Sequence, residues 1–263
     1  MKLISASVRV NSMDTTSTQE PRPTLRPAQQ RVLDASKRIG DLDQLLKEMD
    51  AHARANPMRI TFPAEQQFQD PATIAPRMEW GGTHSTQRLQ EARMLASEVI
   101  HHLRTALEYL AFQLVWLDTG TPQMKSGFPT CKKSKDWEVT LKRQVPGLSL
   151  LHQRVLKKLQ PFKHCRWVVR LQELSNQDKH RYTLTMNTLL EGSFKWSPAV
   201  AHRDPDDPSR CRIDLPSSEP LRIELEGGGN VIEVLTWIAS EIADVLNALV
   251  SDFGETNQIR YPS

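Results

Sequence analysis

The sequence predicts a mainly α fold (α+β in the wider sense), a helical bundle carrying a few short strands. Apolar residues recur at spacings of three and four through four substantial segments, the signature of helices with one buried face. The runs that alternate or carry β-branched residues, "MRITF", "TLTMNTLL" and "LRIELE", are short. Most Pro and Gly residues fall between the periodic segments, where they act as stops and turns.

Taken in order, residues 1–26 are rich in Thr, Ser and Pro and are expected to form a flexible N-terminal arm. Residues 27–255 are expected to form a single helical-bundle domain with a small sheet, and 256–263 a tail. The first helix spans "AQQRVLDASKRIGDLDQLLKEMDAHARA", with Val32, Leu33, Ile39, Leu42, Leu45, Leu46 and Met49 as its apolar stripe, and Pro57 stops it. "MRITF" follows as a strand, then a Pro-punctuated connection. Thr83 or Ser85 caps a long helix reaching about Leu117, whose stripe is Ala92, Leu95, Ala96, Val99, Leu103, Ala106, Leu107, Leu110 and Leu114. Residues 119–147 are irregular and basic, with a short helix near "DWEVTLKRQ". "SLLHQRVLKKLQPF" is a helix broken by Pro161, and "HCRWVVRLQELSNQDKHRY" is the next. Residues 192–217 are expected to be loop. "GGGN" turns the chain from a strand into the cleanest amphipathic helix, "VIEVLTWIASEIADVLNALV", with Asn230 as its cap.

Of 263 residues, 38% are hydrophobic and 25% charged, a globular composition. No apolar run is expected to approach the roughly 18 residues of a membrane span, so no membrane partner is expected. Three dispersed cysteines, Cys131, Cys165 and Cys211, argue against a disulfide scaffold and point to a reducing cytoplasm. No metal site and no cofactor are expected; "EGGGN" lacks the GK[ST] of a phosphate loop.

The net charge of +3 hides an asymmetry. Cys131 to Arg170 hold eleven Lys and Arg against two acids, and Ser218 to Glu255 hold eight acids against one base. The basic segment 131–170 makes nucleic acid a candidate partner; complementary faces of opposite sign make a homodimer another. The same pattern also fits two solvated surfaces. Trp80, Trp137, Trp167 and Trp196 lie near basic residues and are candidates for stacking on bases, though Trp more often packs a core.

Two segments hold the candidate chemistry. In "IHHLRTALEY", His101, Arg104 and Glu108 follow i, i+3, i+7 and project together, with an Arg104–Glu108 ion pair as the plain structural use. In "SNQDKHRY", the stripe of Trp167, Leu171 and Leu174 continues onto Asp178, which therefore points coreward and needs a partner: Arg181, Arg104 or His101. Asn176 and His180 face elsewhere, where they can cap the helix or line a cleft. Lys179, His180 and Arg181 also suit the negative end of the helix dipole.

"IHHLRTALEYLAFQLV", "FPT", "LQPF" and "LQELSNQDKHR" together resemble a family of uncharacterised bacterial proteins patterned HNLRSALDHLAxQLV, FPI, LQPY and LxxLNxxDKHR. The resemblance covers about residues 95–182. The family's R-x4-H spacing is similar in turn to the signature of HEPN domains, helical bundles that are often dimeric, metal-independent ribonucleases. That likeness implies Arg104 on the scissile phosphate, with His101 or His180 moving protons, in a toxin, stress or phage-defence role. Here Tyr109 stands at the position of the signature His, and Glu108 where the family has Asp. A phenol with its ordinary pKa near 10 is a poor general base at neutral pH. Two functions are therefore expected to compete. One is a non-catalytic helical binding or interaction module of bacterial or phage origin, with nucleic acid as a candidate ligand and its motifs locking two helices. The other is a HEPN-like ribonuclease.

Overall fold

The computed structural model describes residues 22–55, 58–64, 77–79, 84–181, 186–189, 202–203, 205, 207–215 and 222–256. Six α-helices dominate: α1 (Arg26–Ala55), α2 (His84–Thr119), α3 (Trp137–Gln144), α4 (Leu150–Lys158), α5 (Arg166–Arg181) and α6 (Val231–Leu249). The strands are β1 (Met58–Pro63), β2 (Arg77–Glu79), β3 (Met186–Leu189), β4 (His202–Arg203), β5 (Arg210–Leu215) and β6 (Arg222–Leu225).

α1 and α2 form an antiparallel pair, and their cross-links report its register. Arg88 meets Glu48 at 2.9 Å, Arg38 meets Glu98 at 2.8 Å, and the Thr24 N–H donates to Gln113 Oε1 at 2.9 Å. One partner's number falls as the other's rises, as it must between antiparallel helices. The apolar stripes of the two helices meet beneath this polar edge. Val32, Ala35, Ile39 and Leu42 of α1 and Ala92, Ala96, Val99, Leu103, Leu107 and Leu110 of α2 are buried. Leu33 is not: it is 45% exposed, because it lies about 100° around the helix from Val32 and falls off the stripe.

α6 closes the bundle with Val231, Leu235, Ile238, Ala239, Ile242 and Leu246 turned inward. Asn230 caps it as expected, its side-chain oxygen accepting from the Ile232 N–H at 2.9 Å. Val231–Phe253, which is α6 and the 3₁₀ turn after it, is long and apolar enough to cross a membrane by length and composition. This corrects the expectation that nothing comes near that threshold. Glu241 and Asp244 interrupt its most apolar 18-residue stretch without lowering the mean hydropathy of that stretch below 1.4, and 44% of the stretch is buried within the fold.

β2-β1-β5-β4 form an antiparallel sheet, and β3 and β6 pair separately. β4 and β5 occupy part of the expected loop 192–217. Cys211, Ile213 and Leu215 alternate with Arg210, Arg212 and Asp214, a strand pattern masked by the Pro, Asp and Ser around it. The register sets Arg59 of β1 opposite Asp214 of β5. Of the expected arm, residues 1–21 lie outside the described residues. Thr24 and Leu25 are fixed: Leu25 is fully buried, and its N–H donates to Glu255 Oε1 at 3.0 Å.

Candidate functional site

The middle of α2 carries the sequence-predicted face. Arg104 and Glu108 pair at 2.6 Å, as their spacing requires. The face is not open, because residues 127–130 fold across it. The Phe128 N–H donates to Glu108 Oε2 at 2.6 Å, Arg104 donates to the Phe128 carbonyl at 3.4 Å and to Thr130 Oγ1 at 3.3 Å, and the guanidinium lies 5.8 Å from the Phe128 ring centre. Phe128 is itself buried. The "FPT" motif and the Arg104/Glu108 pair are thus one object, a clamp of α2 on the segment that follows it. His101 stays exposed and outside the clamp.

Tyr109 is partly buried against the core, with the Arg31 guanidinium 5.9 Å over its ring. Arg31 also donates to His102 Nδ1 at 3.3 Å. Burial holds the His102 pKa below its ordinary value; the nearby charges of Arg31 and His101 act in the same direction, and Asp34 and Glu98 oppose them. Tyr109 therefore packs between α1 and α2.

Asp178 faces α2, as its place on the stripe predicts. Its partner there is the Ser97 hydroxyl, which donates to Asp178 Oδ1, rather than Arg104 or His101. Ser97 sits one turn before His101 and two before Arg104; the side chain of Arg181, the other expected partner, lies outside the described residues. Asn176 is exposed. The side chains of Lys179, His180 and Arg181 lie outside the described residues.

A buried polar cluster escaped sequence reasoning. His152 of α4 is 4% exposed. Its Nδ1 lies 2.8 Å from Asp118 Oδ2 at the end of α2, and its Nε2 lies 3.4 Å from Asp252 after α6. Asp118 also accepts from the Ser149 N–H at 2.7 Å, and Ser149 caps α4. The ring can donate to both carboxylates at once only as an imidazolium. Ser149 Oγ and Asp118 share the same ring nitrogen, so this is not the nucleophile–base–orienter relay of a hydrolase. It ties three chain segments together. The signal was available: His152, Leu156 and Leu159 share one helical stripe.

The basic segment lies on the outside of the fold. Nine of its eleven Lys and Arg are exposed, on the turns and helices from Lys132 to Arg166. Among the described residues, only Arg170 of the eleven forms an ion pair, with Glu173 at 3.7 Å. Trp137 and Trp167, the candidates for base stacking, are 2% and 5% exposed and belong to the core. Trp80 and Trp196 lie outside the described residues.

A cavity of about 570 Å³ adjoins this surface, between α5, α6 and the glycine turn before α6. Arg166, Val169, Arg170 and Glu173 supply one face of α5, and Val234 and Trp237 one face of α6. Arg170 holds the glycine turn by donating to the Gly228 carbonyl at 2.8 Å. His164 stands at its mouth in the left-handed conformation, φ 61°, ending the 3₁₀ turn of Pro161–Lys163. No three His, Cys, Asp or Glu among the described residues are grouped to hold a metal ion. Comparison of the chain with family models, with curated proteins and with solved structures finds no match.

Proposed function

We propose that this chain is a non-catalytic helical module that binds single-stranded nucleic acid, RNA foremost, through the outer surface of residues 131–170. The observation that carries this reading is the run of exposed Lys and Arg whose charge the fold leaves largely unneutralised. Lysines and arginines in that state attract a phosphate backbone and release its counterions. The ribonuclease alternative asks Arg104 to hold a scissile phosphate. Arg104 already serves Glu108, the Phe128 carbonyl and Thr130, and Tyr109 packs under Arg31, which favours the binding reading over the catalytic one.

Fluorescence anisotropy of a labelled single-stranded RNA over a salt series tests the proposal. The affinity is expected to fall with salt at a log–log slope of about −0.7 for each phosphate contacted. Reversing Lys132, Lys133, Lys142 and Arg143 to Glu is expected to flatten that slope and weaken binding about 100-fold or more at low salt. An affinity indifferent to salt and to those reversals rejects the proposal. Cleavage of the RNA that resists EDTA and vanishes in Arg104→Ala would replace it with the HEPN-like reading.

A further inference from the structure

We infer that the cavity between α5 and α6 is a nucleotide subsite, taking one unstacked base against Trp237 and its phosphate between His164 and Arg166. The inference rests on the binding function proposed above and adds a base-dependent contact to a surface otherwise read as responding to charge alone.

Four observations support it. Trp237 is 39% exposed on a helix that otherwise buries its apolar face, so the fold leaves a large ring at the surface where a cavity opens. Its indole N–H is already spent on Glu241 Oε1, at 3.2 Å and one turn away. What the ring has left to offer a ligand is its π-face, and a π-face accepts any base. Arg166 and His164 line the same cavity, and neither side chain has a partner among the described residues. A guanidinium grips a phosphate through paired N–H donors. The volume lies within the range of small-ligand sites, which runs from roughly 300 to 1,000 Å³.

Acidic groups bear on both ends of the site. Glu173 lies two turns along α5 from Arg166, about 10 Å along the axis, and pairs with Arg170 at 3.7 Å. At the other end Glu241 acts on the Cys165 thiol between His164 and Arg166, so the paired N–H donors of Arg166 must hold the phosphate there against that carboxylate. The neighbouring basic surface continues back along the chain, through Lys163 to Lys158 and Arg154 of α4, which share one helix face. A strand held electrostatically on that surface passes the mouth of the cavity.

The test compares an eight-nucleotide oligoadenylate with an abasic ribose-phosphate strand of the same length and charge. Affinity and tryptophan emission are measured on the full chain and on Trp237→Ala. Both strands are expected to bind with the same salt slope, the oligoadenylate about tenfold tighter and with quenching of Trp237 emission. Trp237→Ala should erase the tenfold difference and the quenching while leaving abasic binding unchanged. Equal affinity of the two strands, with no quenching, overturns the subsite and leaves the proposed binding surface standing. Failure of both strands to bind rejects the surface, and the subsite with it.

Discussion

The inner polar residues of α2 and the rim from α3 to α5 use the same side-chain types in opposite ways. On α2, Arg104, Glu108 and Asp118 are met by the chain itself: residues 127–130 fold over the first two, and His152 and the Ser149 N–H converge on the third. On the rim, Arg154, Lys158, Lys163 and Arg166 are exposed. A motif rich in Arg, His and acid is therefore no guide to function until one knows whether a later segment comes back to satisfy it. In this chain Arg104 and Glu108 are engaged by residues 127–130 of the fold itself. The exposed charges of the rim meet no such returning segment among the described residues.

The comparison breaks first, if it breaks, at the buried cluster. Asp118→Ala removes the acceptor of the His152 ring and of the Ser149 N–H, and leaves both donors in a nearly dry site. Two hydrogen bonds to a buried charge make this the costliest single change considered, about 3–5 kcal/mol. For a chain of this size that is about 10 °C in Tm, read by circular dichroism. Affinity for RNA is expected to hold at temperatures where the variant stays folded. A Tm within a degree of the parent would mean that α2 is not braced through Asp118.

A smaller effect distinguishes the parts of the clamp. Glu108→Ala strips the acceptor from the Phe128 N–H and the counter-ion from Arg104, and is expected to cost about 2 kcal/mol. Glu108→Gln keeps an acceptor and should cost about half of that. Hydrogen exchange at the Phe128 amide reports the clamp directly: faster in the Ala variant, nearly unchanged in the Gln variant. Equal protection in all three proteins would show that Phe128 burial alone fixes the segment.

Much of the framework was legible, because one-dimensional periodicity carries it. The helix stripes, Pro161 as a stop and the Asn230 cap depend on neighbours within a turn or two. What was not legible depends on which segment returns to which. The spacing of Arg104 and Glu108 predicts their pair, but nothing in that spacing says that Phe128 will lie across it. The stripe through Trp167, Leu171 and Leu174 predicts that Asp178 faces inward, and the register of α2 against α5 then decides that Ser97 meets it. Ser97→Ala removes one partly exposed hydrogen bond and should cost about 1 kcal/mol by thermal denaturation, less than a severed ion pair would. A loss of several kcal/mol would restore the ionic lock that sequence suggested. Trp237 was overlooked for a related reason. It belongs to an acidic segment of the sequence, and only the packing of α6 against α5 sets it beside Arg166.

The smallest expected effect tests the α1–α2 seam, where Arg31 reaches both Tyr109 and His102. Arg31 donates to His102 Nδ1, so that nitrogen acts as an acceptor and the ring is neutral in this contact. Burial depresses the His102 pKa in the folded chain, with Arg31 and His101 pushing the same way against Asp34 and Glu98. The unfolded chain then takes up the proton first as pH falls. The stability held by this group is full above the ordinary histidine value of about 6.5, and it is lost as pH falls from there toward the lower folded value. His102→Asn retains an acceptor and removes the titration. Its Tm should decline less than the parent's between about pH 7.5 and about pH 5.5, and the two should differ least at the acid end. Parallel curves for the parent and His102→Asn would mean that the seam is held by the Tyr109 contact and by apolar packing, with no share from the imidazole.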